Sequence, residues 1–153
     1  MSDNFKMIAK TFYGFEEILS DELLRIGAQK IIKGNRNVSF YGDKGFMYKS
    51  NISLRTALKI IKPIKEFRFN DINEYYKKIY EIKWENYLDF NSSFLINSVV
   101  FNSKIFNNSK FTSLKAKDAI VDRFRNKFNK RPSINSFNPE LKIEIHVNRD
   151  LCT

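Results

Sequence analysis

One cysteine, Cys152, and one histidine, His146, are all that 153 residues contain of either type. A lone cysteine excludes a disulfide framework, and the two residues together build neither a Cys/His metal cluster nor a credible Cys-His or Ser-His nucleophilic couple. A reducing cytoplasm is the expected home. Long apolar runs are missing as well. Nothing approaches the roughly 20 residues that cross a bilayer, and the opening MSDNFKMIAK lacks an apolar stretch of signal-peptide length, so a soluble protein without a membrane partner is expected. Acidic residues are outnumbered, 17 Asp+Glu against 27 Lys+Arg, and the resulting formal charge of +10 favours an anionic partner such as nucleic acid. Abundant Lys, Asn, Ile and Phe also follow from an AT-rich genome, so the distribution of the charge carries more weight than its total. What is plentiful is apolar and aromatic matter, 42% and 15%, enough for one ordinary core or two small ones and too much for a disordered chain.

The first third alternates in period. FKMIAKT (5–11) reads as a strand, and GFEEILSDELLRIGA sets Phe15, Ile18, Leu19, Leu23 and Ile26 at helical spacing before Gly27. QKIIKG and NVSFYG read as two strands around a turn at Gly34–Arg36. DKGFMYKSN reads as a short helix capped by Asp43, and RTALKIIKPIKEFRF as a long β-rich segment broken by Pro63. The order is βαββαβ, the split βαβ of ferredoxin-like folds. From about Asn70 a second α/β unit begins. A helix carries Ile72, Tyr75, Tyr76, Ile79 and Ile82, a strand covers 92–101, and a polar loop leads to a helix from Ser113. ELKIEIHVN closes the unit as an alternating strand. The fold class expected is therefore α+β, as residues 1–68 and 69–153.

In the helix from Ser113, Ala116, Ile120, Phe124 and Phe128 make one i, i+4 row for the core, and the charged residues take the remaining faces. Such a helix is ordinarily structural. Its surroundings argue for more, because residues 102–131 hold nine basic residues against Asp118 and Asp122, whereas 71–90 hold five acidic against three basic. Asn107, Asn108, Ser109, Thr112 and Ser113 precede or open the helix as donors suited to phosphate or 2′-hydroxyl groups. Membrane binding is the weaker reading, since the apolar row is needed to close a core. Sequence-specific DNA reading lacks a helix-turn-helix partner or zinc-finger spacing.

Several segments in order resemble the N-terminal region of the bacterial THUMP-domain 23S rRNA guanine-N2 methyltransferases. They are TFYGFEEILSDELLRIGA, VSFYGD, NISLRTALKII with its Leu54-Arg55-Thr56-Ala57, IKWENYL, and SKFTSLKAKDAIVDRF. The resemblance covers nearly the whole chain. Phe15 departs from the family's usual Leu, and SLKAKDAI departs from its Gln and paired Lys, although Lys115 and Lys117 keep the charge. The resemblance implies a ferredoxin-like domain, then a THUMP domain, ahead of a Rossmann-like catalytic domain that uses S-adenosylmethionine. No Gly-rich cofactor loop and no Asn-Pro-Pro-Tyr/Phe motif occurs in these residues, and the Asn138-Pro139-Glu140 turn is not that motif.

The expected role is thus to bind structured RNA, 23S rRNA by resemblance, with no catalytic residue, cofactor or metal in this chain. Lys104, Lys110, Lys115, Lys117, Arg123, Lys127 and Arg131 are the expected phosphate contacts, Lys110 and Lys115 foremost because they bracket the expected helix start. Arg36 and Arg55 are further candidates, read more simply as a turn residue and a strand-end residue. Trp84 reads as a plug between the units, one of Tyr75 and Tyr76 as buried, and His146 as facing away from Ile143, Ile145 and Val147. A stand-alone protein-interaction domain without nucleic-acid function, or the substrate-binding part of a tRNA or DNA methylase, is the alternative. A complete small enzyme has no converging acid, base and nucleophile. The oligomeric state is left open.

Overall fold

The computed structural model describes residues 4–153, which form two compact units divided between Ile64 and Lys65. The N-terminal reading of Met1–Asp3 lies outside the described residues. The first unit runs β1 (Phe5–Lys10), α1 (Glu16–Arg25), β2 (Gln29–Lys33), β3 (Asn37–Gly42), α2 (Lys44–Ser53) and β4 (Lys59–Ile61), the expected βαββαβ order. Its antiparallel sheet is ordered β2-β3-β1-β4. Met7 and Ala9 from β1, Val38 and Phe40 from β3, and Leu19 and Leu23 from α1 make its core, as the period-2 and period-3.6 patterns require. Gly27 ends α1 at φ +93°, a left-handed conformation that costs other residues a steric penalty. The Asp43 carboxylate caps α2 by accepting from Phe46 N at 2.7 Å.

The long β-rich segment expected over 55–69 is divided instead. Only Lys59–Ile61 joins the first sheet, and β5 (Phe67–Arg68) pairs in the second. The second unit continues with α3 (Ile72–Tyr80), a 3₁₀ turn (Trp84–Asn86), β6 (Ser93–Phe101), α4 (Ser109–Phe128), β7 (Ser133–Ile134), β8 (Leu141–Asn148) and β9 (Leu151–Cys152). The sheet order is β5-β9-β8-β6-β7, with β6 parallel to both β8 and β7 and the remaining pairs antiparallel. Asp71 caps α3 through Glu74 N, 2.8 Å.

Both α3 and α4 bury their apolar faces on Phe94 and Ile96 of β6 and Ile143, Ile145 and Val147 of β8, with Phe69, Tyr75, Phe106 and Phe124 filling the layer between. Tyr75 is fully buried and donates its hydroxyl to the Thr112 carbonyl; Tyr76 stays half-buried and donates to Asp122 at 2.7 Å. Trp84 belongs to the second core and not to a junction of units: its indole N–H donates to the Ile79 carbonyl at 2.8 Å, which satisfies the one polar atom that burial would penalise. His146 lies on the opposite face of β8 from Ile143, Ile145 and Val147, as its alternation requires.

Candidate nucleic-acid interface

The basic segment begins where β6 ends and α4 starts. Asn108 is the N-cap, its side chain accepting from Lys110 N at 2.8 Å, so α4 starts at Ser109, four residues before the expected Ser113. Of the five polar residues expected to precede or open the helix, Asn108 is spent as the cap and Ser109, Thr112 and Ser113 are helical. Thr112 is buried and donates its hydroxyl to the Asn108 carbonyl at 3.0 Å, and Ser113 shares a 2.7 Å hydrogen bond with Ser98. Lys110 therefore lies in the first turn and Lys115 in the second, and they do not bracket the helix start. Asn107 and Ser109 remain open; with Ser98, Asn102 and Ser103 they line a cleft of about 630 Å³ at the positive end of the helix.

Along α4 the exposed and half-exposed cations follow the helix period. Lys110 and Lys117 are seven residues apart, which puts them within about 20° of one line along the helix and roughly 10 Å apart, and Arg125, eight residues further on, is turned by about 80° from Lys117 on the same solvent-facing side, beside Asp118 and Asp122. Arg125 carries no place in the set drawn from the sequence, yet it shares the solvent-facing side of α4 with these lysines. Lys104 is exposed in the β6–α4 loop, and Lys115 holds its ammonium 5.7 Å from the centre of the Phe111 ring. Lys117 pairs with its neighbour Asp118 at 2.9 Å and Arg125 with Asp122 at 3.5 Å, both at the surface, where such pairs contribute little and exchange readily. Lys115, Lys117, Arg125 and Arg131 line a second cleft of about 600 Å³ together with the carboxylates of Asp118 and Asp122.

Two of the expected contacts are engaged within the unit. Arg123 grips both oxygens of Glu85 at 2.8 Å and donates to the Tyr80 carbonyl at 3.0 Å, and Lys127 reaches the same carboxylate at 2.6 Å. The Arg123 hydrogen bonds, then the Lys127 bond, hold the Glu85 carboxyl far below the usual carboxylate range against the opposing effect of burial. Glu85 precedes Arg123 by 38 residues, so no local pattern reveals the pair.

Among the described residues no group of three or more His, Cys, Asp and Glu gathers to hold a metal ion, and no helix is long and apolar enough to cross a membrane. The β6–α4 connection, which leads from a parallel strand into a helix, contains no glycine and so is not a glycine-rich cofactor turn.

Residues 69–153 match the THUMP domain, and residues 6–61 match the RlmL ferredoxin-like domain. The chain is 33% identical over 153 residues to the ribosomal RNA large subunit methyltransferase K/L of Syntrophotalea carbinolica, covering 100% of this chain and 21% of that protein. It is 36% identical over 152 residues to the protein of the same name from Buchnera aphidicola subsp. Schizaphis graminum, covering 95% and 21%. Among solved structures, SMU.472, assigned as a methyltransferase and determined in complex with SAH, aligns at a TM-score of 0.82 and 29% identity over 99% of this chain and 41% of that one. The chain thus spans about a fifth of the length of the curated relatives it matches. It belongs to the THUMP-domain family, carrying an RlmL-type ferredoxin-like domain ahead of its THUMP domain.

Proposed function

We propose that this chain is the RNA-binding, substrate-positioning portion of an S-adenosylmethionine-dependent methyltransferase that acts in the cytoplasm on a guanine N2 of 23S rRNA. The observation that carries the reading is the row of cations on the solvent-facing side of α4, Lys110, Lys117 and Arg125, flanked by Lys104, Lys115 and Arg131 and ending at a polar cleft beside the helix N-terminus. Cations at this spacing meet alternate phosphates of a strand laid along the helix, and the open amide and hydroxyl groups of Asn107 and Ser109 serve the phosphate nearest the helix dipole. The names of the relatives support rRNA as the substrate, and the SAH bound by a structural neighbour supports the cofactor of the parent enzyme. Arg123 and Lys127 answer Glu85 and hold α4 in the orientation that presents the row. Methyl transfer itself is the work of a domain outside these residues, and recognition here is by shape and backbone, as is usual for structured RNA.

The test is a gel-shift titration of this chain with a 23S rRNA fragment, a tRNA and a DNA duplex across salt concentrations. Affinity for the rRNA fragment should fall with a log–log slope of roughly −4 to −5, as about six phosphate contacts predict. The Lys110→Ala, Lys115→Ala double variant should weaken it about tenfold or more. Unchanged affinity in that variant sinks the assignment of the site, and preference for the tRNA or the DNA duplex moves the substrate to that class.

A further inference from the structure

The first unit carries a second candidate surface, built from the two arginines that sequence reading treats as structural. Three loops meet at one end of its sheet, and two carboxylates tie them together. Glu16 accepts from Gly14 N and from Arg36 N, both at 2.8 Å, which fastens the β1–α1 turn to the β2–β3 hairpin. Glu22 accepts from Arg55 N at 3.2 Å, Thr56 N at 3.1 Å and the Thr56 hydroxyl at 2.8 Å, which fastens the α2–β4 loop to α1. Buried Thr11 closes the arrangement, donating its amide N–H to the Arg36 carbonyl at 3.0 Å and its hydroxyl to the Thr56 carbonyl at 2.7 Å.

These ties hold backbone and the Thr11 and Thr56 hydroxyls, and none of them uses an arginine side chain. The side chains of Arg36 and Arg55 are exposed, and Phe12 and Tyr13, in the β1–α1 turn that is fastened to both of their loops, are 62% and 75% exposed. Arg36 is held at φ +56°, a conformation that costs a non-glycine residue energy and persists here through the bonds on either side of it. Glu17, the remaining acid at the start of α1, pairs at the surface with Lys33 at 2.5 Å. Glu16 and Glu22 thus spend their carboxylates on loop hydrogen bonds, with the Arg36 and Arg55 charges near them, while two guanidinium groups and two large rings stay exposed at this end of the unit. The Phe12 ring meets Phe15 edge-to-face, 6.3 Å between centroids, and still leaves most of its surface open. Exposed rings near arginines on a pre-set backbone match what unpaired nucleotides require: faces for stacking and forks for phosphates.

We propose that Phe12, Tyr13, Arg36 and Arg55 form a second RNA-contact surface that takes single-stranded nucleotides, Phe12 and Tyr13 stacking on bases and the two arginines holding adjacent phosphates. The inference rests on the RNA-binding reading above and adds to it a surface in the other unit and a preference for unpaired strands.

The experiment uses the whole chain with two probes of equal length, a single-stranded RNA oligonucleotide and an RNA duplex. Phe12→Ala with Tyr13→Ala should weaken single-strand binding about tenfold or more, leave duplex binding within about twofold, and leave the salt slope unchanged, because stacking releases no counterions. Arg36→Ala with Arg55→Ala should reduce the single-strand salt slope by roughly 1.4. Tyr13→Trp, which keeps a stacking face, should retain affinity and show quenched indole emission when the oligonucleotide binds. Single-strand affinity equal to wild type in the aromatic double variant overturns the proposal, as does a change confined to self-association. The α4 reading has a separate readout, since Lys110→Ala with Lys115→Ala should weaken the duplex in either event.

Discussion

Arg123 and Glu85 form a two-bond fork, both contacts 2.8 Å, with each side chain less than a fifth exposed. The pair joins α4 to the 3₁₀ turn after α3, and Lys127 adds a third cationic contact on the same carboxylate. Because the Glu85 carboxyl is depressed, its contribution to stability is present above the ordinary value of 4.5 and is lost as pH falls below it. Urea unfolding of wild type and Glu85→Gln should differ by about 1–3 kcal/mol near neutral pH. The difference should shrink steadily from pH 5 to about pH 3. A difference that stays constant over that range would falsify the role given to the ionised carboxylate.

Asn108 allows stability and binding to be separated. Asn108→Ala removes the cap of α4 and should cost about 1 kcal/mol in denaturant unfolding, whereas Asn108→Asp keeps the acceptor and complements the helix dipole, leaving stability within roughly 0.5 kcal/mol of wild type. For RNA the order reverses at that position: the aspartate adds a negative charge beside the proposed phosphate site and should weaken binding several-fold in filter binding at low salt. Wild-type affinity in Asn108→Asp would remove the helix N-terminus from the interface.

Glu22 is the strut of the α2–β4 loop. Burial acts to raise its carboxyl, and the bonds from Thr56 and Arg55 more than reverse that, so the group sits below its ordinary value. Glu22→Ala should leave the Arg55 and Thr56 amides without their acceptor, and their hydrogen exchange should quicken at least tenfold while the amides of β3 keep their protection. Equal protection of Arg55 and Thr56 in both proteins would show that the loop holds itself.

Cys152 offers a check on the second core. Burial pushes its thiol up to about 12, so at pH 8 it is protonated as well as inaccessible. Ellman's reagent should react with the native protein at least a hundredfold more slowly than with the protein in urea. The sole tryptophan, Trp84, should emit at short wavelength and shift to the red over the same transition. Fast reaction of the thiol alongside short-wavelength emission would mean that β9 opens while the core stays closed.

The sequence reveals what local chemistry dictates. Asp43 and Asp71 announce their helices because a carboxylate three residues ahead of an open amide is a self-contained signal, and Ile143, Ile145 and Val147 announce β8 by alternation alone. The start of α4 is harder to read, since Asn107, Asn108 and Ser109 are all competent caps and only buried Thr112 decides among them. Arg123 looks like a surface cation until the fold brings Glu85 to it. At the first unit's exposed end the side chains of Arg36 and Arg55 are visible in the sequence, but the carboxylates that fix their backbones come from α1, 20 and 33 residues away.

Strands β5 and β9 are two residues each, and they pair with one another across the span of the second unit, with the Arg68 guanidinium fastened to Asp150 over 82 residues. A segment that enters a sheet and leaves it at neighbouring positions makes a closed loop of chain. During synthesis β5 must wait, unpaired, until Leu151 and Cys152 emerge, whereas the strand pairs of the first unit are complete once Ile61 has been made. The two units accordingly mature on different schedules. Joining residues 65 and 153 by a short linker and opening the chain at the exposed 135–138 turn should give a permuted THUMP domain with its sheet intact.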